Sequence, residues 1–190
     1  MAAPQHETPW KPTRRQLAAA AGRSIPDIIA PKLKVVFCGI NPGLYSAAVQ
    51  HHFARPGNRF WPALFAAGFT PRLLRPFEER GLLALGYGIT NVVARATARA
   101  DELGGDEMIA GGKSLVRKIN RFQPRVLALL GVGAYRVAFA QPKAQVGRQE
   151  QRIGQTRLWV LPNPSGLNAH YQADALKQVF AKLRREVERA

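Results

Sequence analysis

The strongest constraint on this chain is a rhythm: short, β-branched apolar runs separated by stretches with helical spacing. Lys34–Ile40, Gly88–Val93, Arg125–Leu130 and Thr156–Leu161 are short and continuously apolar, the pattern of strands buried on both faces. Between them, Asn58–Ala67 sets Phe60, Trp61, Leu64 and Phe65 on one helical face and stops at Gly68. Ile109–Phe122 carries Leu115, Ile119 and Phe122 at helical spacing and ends before Pro124. Ala134–Phe139 reads as a shorter helix, and Ala173–Val187 repeats Leu176, Val179, Phe180, Leu183 and Val187. Doubly buried strands alternating with helices imply a parallel sheet covered on both faces. The expected class is α/β: a three-layer α/β/α sandwich with a short, mostly parallel central sheet of about four strands.

A chain of 190 residues with 46% hydrophobic content suits one domain with a real core. Met1–Arg23 is rich in Ala, Pro and Arg, with Pro4, Pro9 and Pro12. Residues 1–24 are therefore expected to form a basic, flexible N-terminal arm and 25–190 a single folded domain. The arm lacks the continuous apolar stretch of a secretory signal, and no apolar run approaches the roughly 20 residues that cross a bilayer. The expectation is a soluble protein of the cytoplasm, monomeric and without a membrane partner. Cys38 is the only cysteine, which excludes intramolecular disulfides and cysteine-based metal or iron–sulfur sites. It sits within an apolar run and reads as a small buried hydrophobe. His6, His51, His52 and His170 show no metal-binding spacing, so no metal and no cofactor is expected.

Charge narrows the partner. Twenty-eight Lys and Arg against twelve Asp and Glu give a formal net charge of +16, spread over 11–34, 72–80, 113–125, 143–157 and 177–189. Such a field favours a polyanion and strengthens salt-sensitive attachment to nucleic acid. Arginine accumulated on solvated faces by coding bias is the competing explanation.

In open α/β sheets, ligands bind beyond the carboxyl ends of the strands. The first strand runs into Gly39-Ile40-Asn41-Pro42-Gly43-Leu44, the last into Pro162-Asn163-Pro164-Ser165-Gly166-Leu167-Asn168. Both carry an Asn-Pro step, small residues and a leucine beyond the glycine. Each piece is also an ordinary turn former, but two related loops at one sheet edge are harder to dismiss. A nucleotide cofactor fits poorly. Gly39 and Gly43 do not make the dinucleotide fingerprint, Pro42 lacks the N–H that a phosphate cradle uses, and Gly131-Val132-Gly133 is a lone tight turn.

The block Val35–Leu44, together with Pro56-Gly57-Asn58-Arg59-Phe60-Trp61 and Leu161–Leu167, closely resembles the mismatch-specific uracil/thymine DNA glycosylase family. Gly111-Gly112-Lys113 and Phe122-Gln123-Pro124 fall where that family has similar residues, and the likeness covers about residues 25–181. The resemblance implies a metal-independent, monofunctional enzyme. It would flip mispaired uracil of a G·U pair out of double-stranded DNA, with thymine of a G·T pair or a modified pyrimidine as further candidate substrates, and hydrolyse the N-glycosidic bond to leave an abasic site.

By the same resemblance, Asn41 positions the attacking water. An amide oxygen accepts a hydrogen bond but takes up no proton near neutral pH, so cleavage would be largely dissociative. Without the surrounding block, a turn-capping amide would be the simpler reading of Asn41. Asp101 is an outside candidate for water activation. Gly39, Ile40 and Gly43 would offer backbone N–H groups to the departing base, and Tyr45 and Ser46 would set pocket width. Tyr45 is bulky, which favours uracil over thymine. Phe53 would stack on the base, an ordinary core phenylalanine being the competing reading. Leu167 resembles the wedge that fills the vacated stack, with Asn163, Ser165, Gly166 and Asn168 around it and facing the widowed guanine. Ala169 departs from the arginine common there. Asn58 reads as the cap of the aromatic helix, and Lys113, Arg55 and the N-terminal arm are candidate phosphate contacts. A non-catalytic binder of damaged or single-stranded DNA on the same fold is the alternative.

Overall fold

The computed structural model describes residues 11–166 and 171–189. Five strands, β1 (Val35–Gly39), β2 (Tyr87–Asn91), β3 (Val126–Leu130), β4 (Gly147–Ile153) and β5 (Thr156–Leu161), form one sheet in the order β2-β1-β3-β5-β4. The first four in that order are parallel, and β4 runs antiparallel to β5 at the edge. Among the described residues, seven α-helices accompany it: α1 (Arg14–Ala19), α2 (Leu44–Val49), α3 (Phe60–Ala66), α4 (Gly81–Ala84), α5 (Gly105–Phe122), α6 (Val132–Ala138) and α7 (Ala173–Glu188). The expected α/β/α sandwich is the observed fold.

A strand turns successive side chains to opposite faces, so a run that is apolar throughout feeds two cores at once. In β1, Val35 and Phe37 enter the layer with Phe60 and Leu64 of α3 and Phe180 and Leu183 of α7. Val36 and Cys38 enter the other, with Leu115 and Ile119 of α5 and Tyr135 of α6. Phe37 is fully buried, with Phe60 edge-on at 5.5 Å and Phe180 stacked at 6.2 Å between centroids. Truncating such a ring to alanine costs roughly 3–5 kcal/mol.

The structure adds two elements that the sequence pattern did not disclose. The sheet has a fifth strand: β4, Gly-Arg-Gln-Glu-Gln-Arg-Ile, is polar because its edge position buries only Ile153. Apolar periodicity therefore could not disclose it. A two-residue connection with Gly154 at φ +56° joins it to β5, the left-handed backbone such hairpins use. Residues before Ile25 are also packed against the domain. Thr13 caps α1 in a reciprocal box with Gln16, Ala20 is fully buried, and the Gly22 N–H donates to the Ala96 carbonyl at 2.9 Å. Ala20 and Ile25 pack with Ala47 and Ala96 in a small third cluster, so residues 13–25 buttress the loops at the sheet edge.

Candidate active site

The register places the ends of β1 and β2 side by side, with Gly39 opposite Asn91. Beyond Gly39 the chain turns through Ile40–Gly43 into α2, and its carbonyls are tied to the segment following β2. Val92 N–H donates to Gly39 O and Val93 N–H to Ile40 O, both at 2.9 Å, and Thr97 N–H donates to Pro42 O at 3.2 Å. This lattice presents the Asn41 side chain. Its Nδ2 donates to the Arg95 carbonyl at 3.0 Å and to Thr97 Oγ1 at 2.7 Å. A main-chain carbonyl only accepts, so the atom facing Arg95 must be the nitrogen, and Oδ1 is turned the other way. Thr97 Oγ1 in turn donates a hydrogen bond to Arg99 O at 2.7 Å.

Asn41 lines a cavity of about 620 Å³. Gly39, Ile40, Gly43, Ser46 and Phe53 line it too, and Asn163 and Ser165 from the loop after β5 close it from the other side. The structure thus brings the two Asn-Pro loops to one hollow. In the second loop, Ser165 N–H donates to Asn163 Oδ1 at 3.0 Å, a side-chain turn that fixes the bend between two prolines.

Phe53 forms the aromatic wall. Its ring stacks on Phe60 with centroids 4.1 Å apart. The residue holds φ +53°, a left-handed conformation that costs a non-glycine residue about 1–2 kcal/mol. Hydrogen bonds on either side enforce it. Ala54 N–H donates to Ser46 Oγ at 3.0 Å, His52 N–H to Glu79 Oε2 at 2.7 Å, and Trp61 Nε1 to His52 O at 3.2 Å. A Cβ on Gly39 would lie 2.5 Å from Asn91 Oδ1 and 3.3 Å from the Phe53 ring, so the bare glycine leaves both side chains their place in the hollow.

Residues 26–187 match the family model of the uracil DNA glycosylase superfamily. The chain belongs to that superfamily. It is thereby a DNA glycosylase, a hydrolase of the N-glycosidic bond acting on uracil-containing DNA. The fold agrees with the solution structure of a candidate uracil DNA glycosylase from Methanosarcina acetivorans. That structure matches with a TM-score of 0.53 at 18% identity, over 86% of this chain and 98% of that one. Among the described residues, no helix is long and apolar enough to cross a membrane.

Other residues singled out in this glycosylase sequence sit differently. Tyr45 is half-buried on α2 and is not among the residues lining the cavity. Asp101 lines the mouth, but Arg99 takes both its carboxylate oxygens, at 3.1 and 2.6 Å, and its side chain is 63% exposed. Gly166 is exposed and packs on the Gly57 carbonyl, which lies 2.6 Å from where its Cβ would be. Asn58 reads in the sequence as the cap of α3, but the N-cap is Arg59, one residue later. Asn58 Oδ1 accepts the Phe60 N–H at 2.9 Å, and Asn58 also lines the cavity with exposed Arg55. Leu167, Asn168, Ala169 and His170 lie outside the described residues.

Among the lining residues that sequence reasoning missed are Asn91, Thr97 and His52. Asn91 ends a strand, so the rule that ligands sit at carboxyl ends pointed to it. Thr97 follows an irregular stretch that carries no periodicity. His52 is 2% exposed, and burial holds its imidazole below the ordinary histidine pKa, so the ring is neutral near pH 7. Its Nε2 lies 3.0 Å from the Pro26 carbonyl and must carry the proton, leaving Nδ1 as an acceptor.

Proposed function

We propose that this protein is a mismatch-specific, monofunctional uracil DNA glycosylase that removes uracil flipped from a G·U pair in double-stranded DNA. A base inside a duplex cannot be attacked at its glycosidic bond, and extruding it costs a few kcal/mol, least when it is mispaired. The hollow at the sheet edge has the parts that receive it. Phe53 offers a rigid face on which base stacking is worth about 1–3 kcal/mol. Asn91, with an amide that both donates and accepts, borders the same space for the polar edge of a pyrimidine.

The observation that carries this reading is the orientation of Asn41. With Nδ2 committed to Arg95 O and Thr97 Oγ1, the side chain offers an acceptor at a fixed position on the cavity wall. Such an acceptor can aim one water at the anomeric carbon as the base departs, without taking up its proton. Asp101 is a weaker candidate for that task because its carboxylate is already paired with Arg99. On sequence grounds Leu167 enters the stack the base has left, and the +16 charge holds the duplex.

Duplexes with one G·U, A·U or G·T pair, incubated with the protein and then cleaved with hot alkali, test this directly. Strand scission at G·U well above A·U is the expected outcome. Equal scission at both would remove the mismatch preference. Uracil retained everywhere at stoichiometric protein would make the chain a binder instead.

A further inference from the structure

The second loop is held by a residue of another element. Arg59, half-buried at the start of α3, hydrogen-bonds to it from both its main chain and its side chain. Its main-chain N–H donates to Pro164 O at 2.9 Å, its Nη2 to Gly166 O at 3.1 Å and its Nη1 to Tyr171 O at 2.6 Å. Gly166 and Tyr171 bracket residues 167–170. One planar guanidinium therefore joins the two carbonyls through which the chain leaves for that segment and returns from it. A guanidinium presents its donors as a rigid fork, so it fixes both the distance between two acceptors and their relative direction. The Gly57 carbonyl against Gly166 adds a steric stop on the same side. Arg59 is followed immediately by Phe60, the ring on which Phe53 is stacked. A single short stretch thus connects the aromatic wall of the base pocket to both stems of the opposite loop.

We propose that Arg59 is a positioning residue whose guanidinium sets the gap between the Gly166 and Tyr171 stems. It thereby governs how tightly the protein holds DNA that has lost a base, through the loop and not by touching the reacting atoms. The proposal rests on the glycosylase reading for its substrate. Its distinctive content is that the fork matters and the charge alone does not.

Arg59→Lys and Arg59→Gln separate these. Lysine keeps the positive charge that a phosphate contact would need, but one ammonium on a flexible stem cannot reproduce a planar bridge between two carbonyls. The measurement is the ratio of affinities for a duplex carrying a tetrahydrofuran abasic site and for the same duplex intact, with Tm recorded for each protein. Losing charge-assisted hydrogen bonds of this kind predicts about a tenfold fall in that ratio for both variants. Intact-duplex affinity is expected to stay within about threefold, because non-specific attachment comes from the overall field. Wild-type behaviour in the lysine variant with loss only in the glutamine variant would overturn the proposal in favour of a simple charge contact. A parallel loss on both duplexes, or a wild-type protein with no abasic preference, would overturn it as well. Failure of the glycosylase reading is seen separately, as uracil retained by the wild-type protein.

Discussion

Ile40–Gly43 and Pro162–Gly166 face each other across one hollow, yet they are secured by different means. The first leaves the middle of the sheet, and its carbonyls are stitched to the chain after β2, with the Asn41 amide clasped by Arg95 and Thr97. The second leaves β5 with one main-chain bond, from Arg59 N–H to Pro164 O, and is otherwise shaped by side chains: an internal turn at Asn163 and the long arm of Arg59. Main-chain stitching gives a position that few substitutions can alter, suited to an atom that must aim a water within a fraction of an ångström. Side-chain anchoring gives a position that one substitution can retune, suited to a surface that meets a deformable duplex. Damage to the first loop should therefore appear in the chemical step, and damage to the second in DNA retention.

The largest effect is expected at Asn41. Asn41→Ala removes the aimed acceptor and should slow single-turnover uracil release by about 100-fold or more, while affinity for the G·U duplex changes less than about threefold. Binding lost in parallel would mean that the residue holds the loop and not the water. Gly39→Ala comes next. Its new Cβ must displace the Asn91 amide and crowd the Phe53 ring, both side-chain obstacles, so the fold survives but the pocket narrows. Uracil release should fall roughly 10–100-fold with Tm nearly unchanged. A silent Gly39→Ala would show that this corner of the hollow does not receive the base.

Thr97→Val tests the stitching itself. It keeps the buried shape but withdraws the hydroxyl that accepts from Asn41 and donates to Arg99 O. A lost hydrogen bond of about 1–1.5 kcal/mol predicts roughly a tenfold slower release, with abasic-site affinity unaffected. Asn163→Ala is the counterpart in the second loop. Removing its turn should lower abasic-site affinity by about threefold and leave single-turnover release near wild type. If the two substitutions exchanged phenotypes, the division of labour between the loops would be wrong.

How much of this was legible in the sequence follows the same division. Strands buried on both faces announce themselves, because each of their residues must be apolar, and β1, β2, β3 and β5 lie within a residue or two of the runs that predict them. The edge strand β4 has no such obligation and stayed hidden. Helix α1 stayed hidden because its docking uses small residues, Ala20 against Ala47 and Ala96, which carry no pattern. At the site, residues inside a recognisable block were legible. Thr97 and His52 lie outside those blocks, and even Arg59, inside one, acts through a distant partner: Arg59 reaches Tyr171 and His52 reaches Pro26, and no local spacing encodes such pairs.

The smallest expected effect probes the wall between the loops. Burial lowers the pKa of His52 below its ordinary value, while in the unfolded chain the ring titrates near 6.5. Below about pH 6.5 the unfolded chain therefore binds a proton that the native ring resists, and stability must fall as the solution is acidified. The contribution is complete above about pH 6.5 and is lost as pH drops through the lowered native value. His52→Gln keeps a donor that can reach Pro26 O but cannot titrate, so its Tm should decline less than wild type between about pH 7.5 and 5.5. Nearby Glu79, Asp27 and His51 remain in both proteins; their charges act on the His52 ring but are outweighed by its burial, so the difference reports the ring. Because His52 immediately precedes Phe53 and bonds through its main chain to Glu79 and Trp61, the acid-induced loosening should begin on the base-pocket side. Uracil release should then decline with acid before abasic-site affinity does. The two declining together would mean that the loops open as one unit, and the distinction between a fixed loop and a tunable one would have no dynamic counterpart.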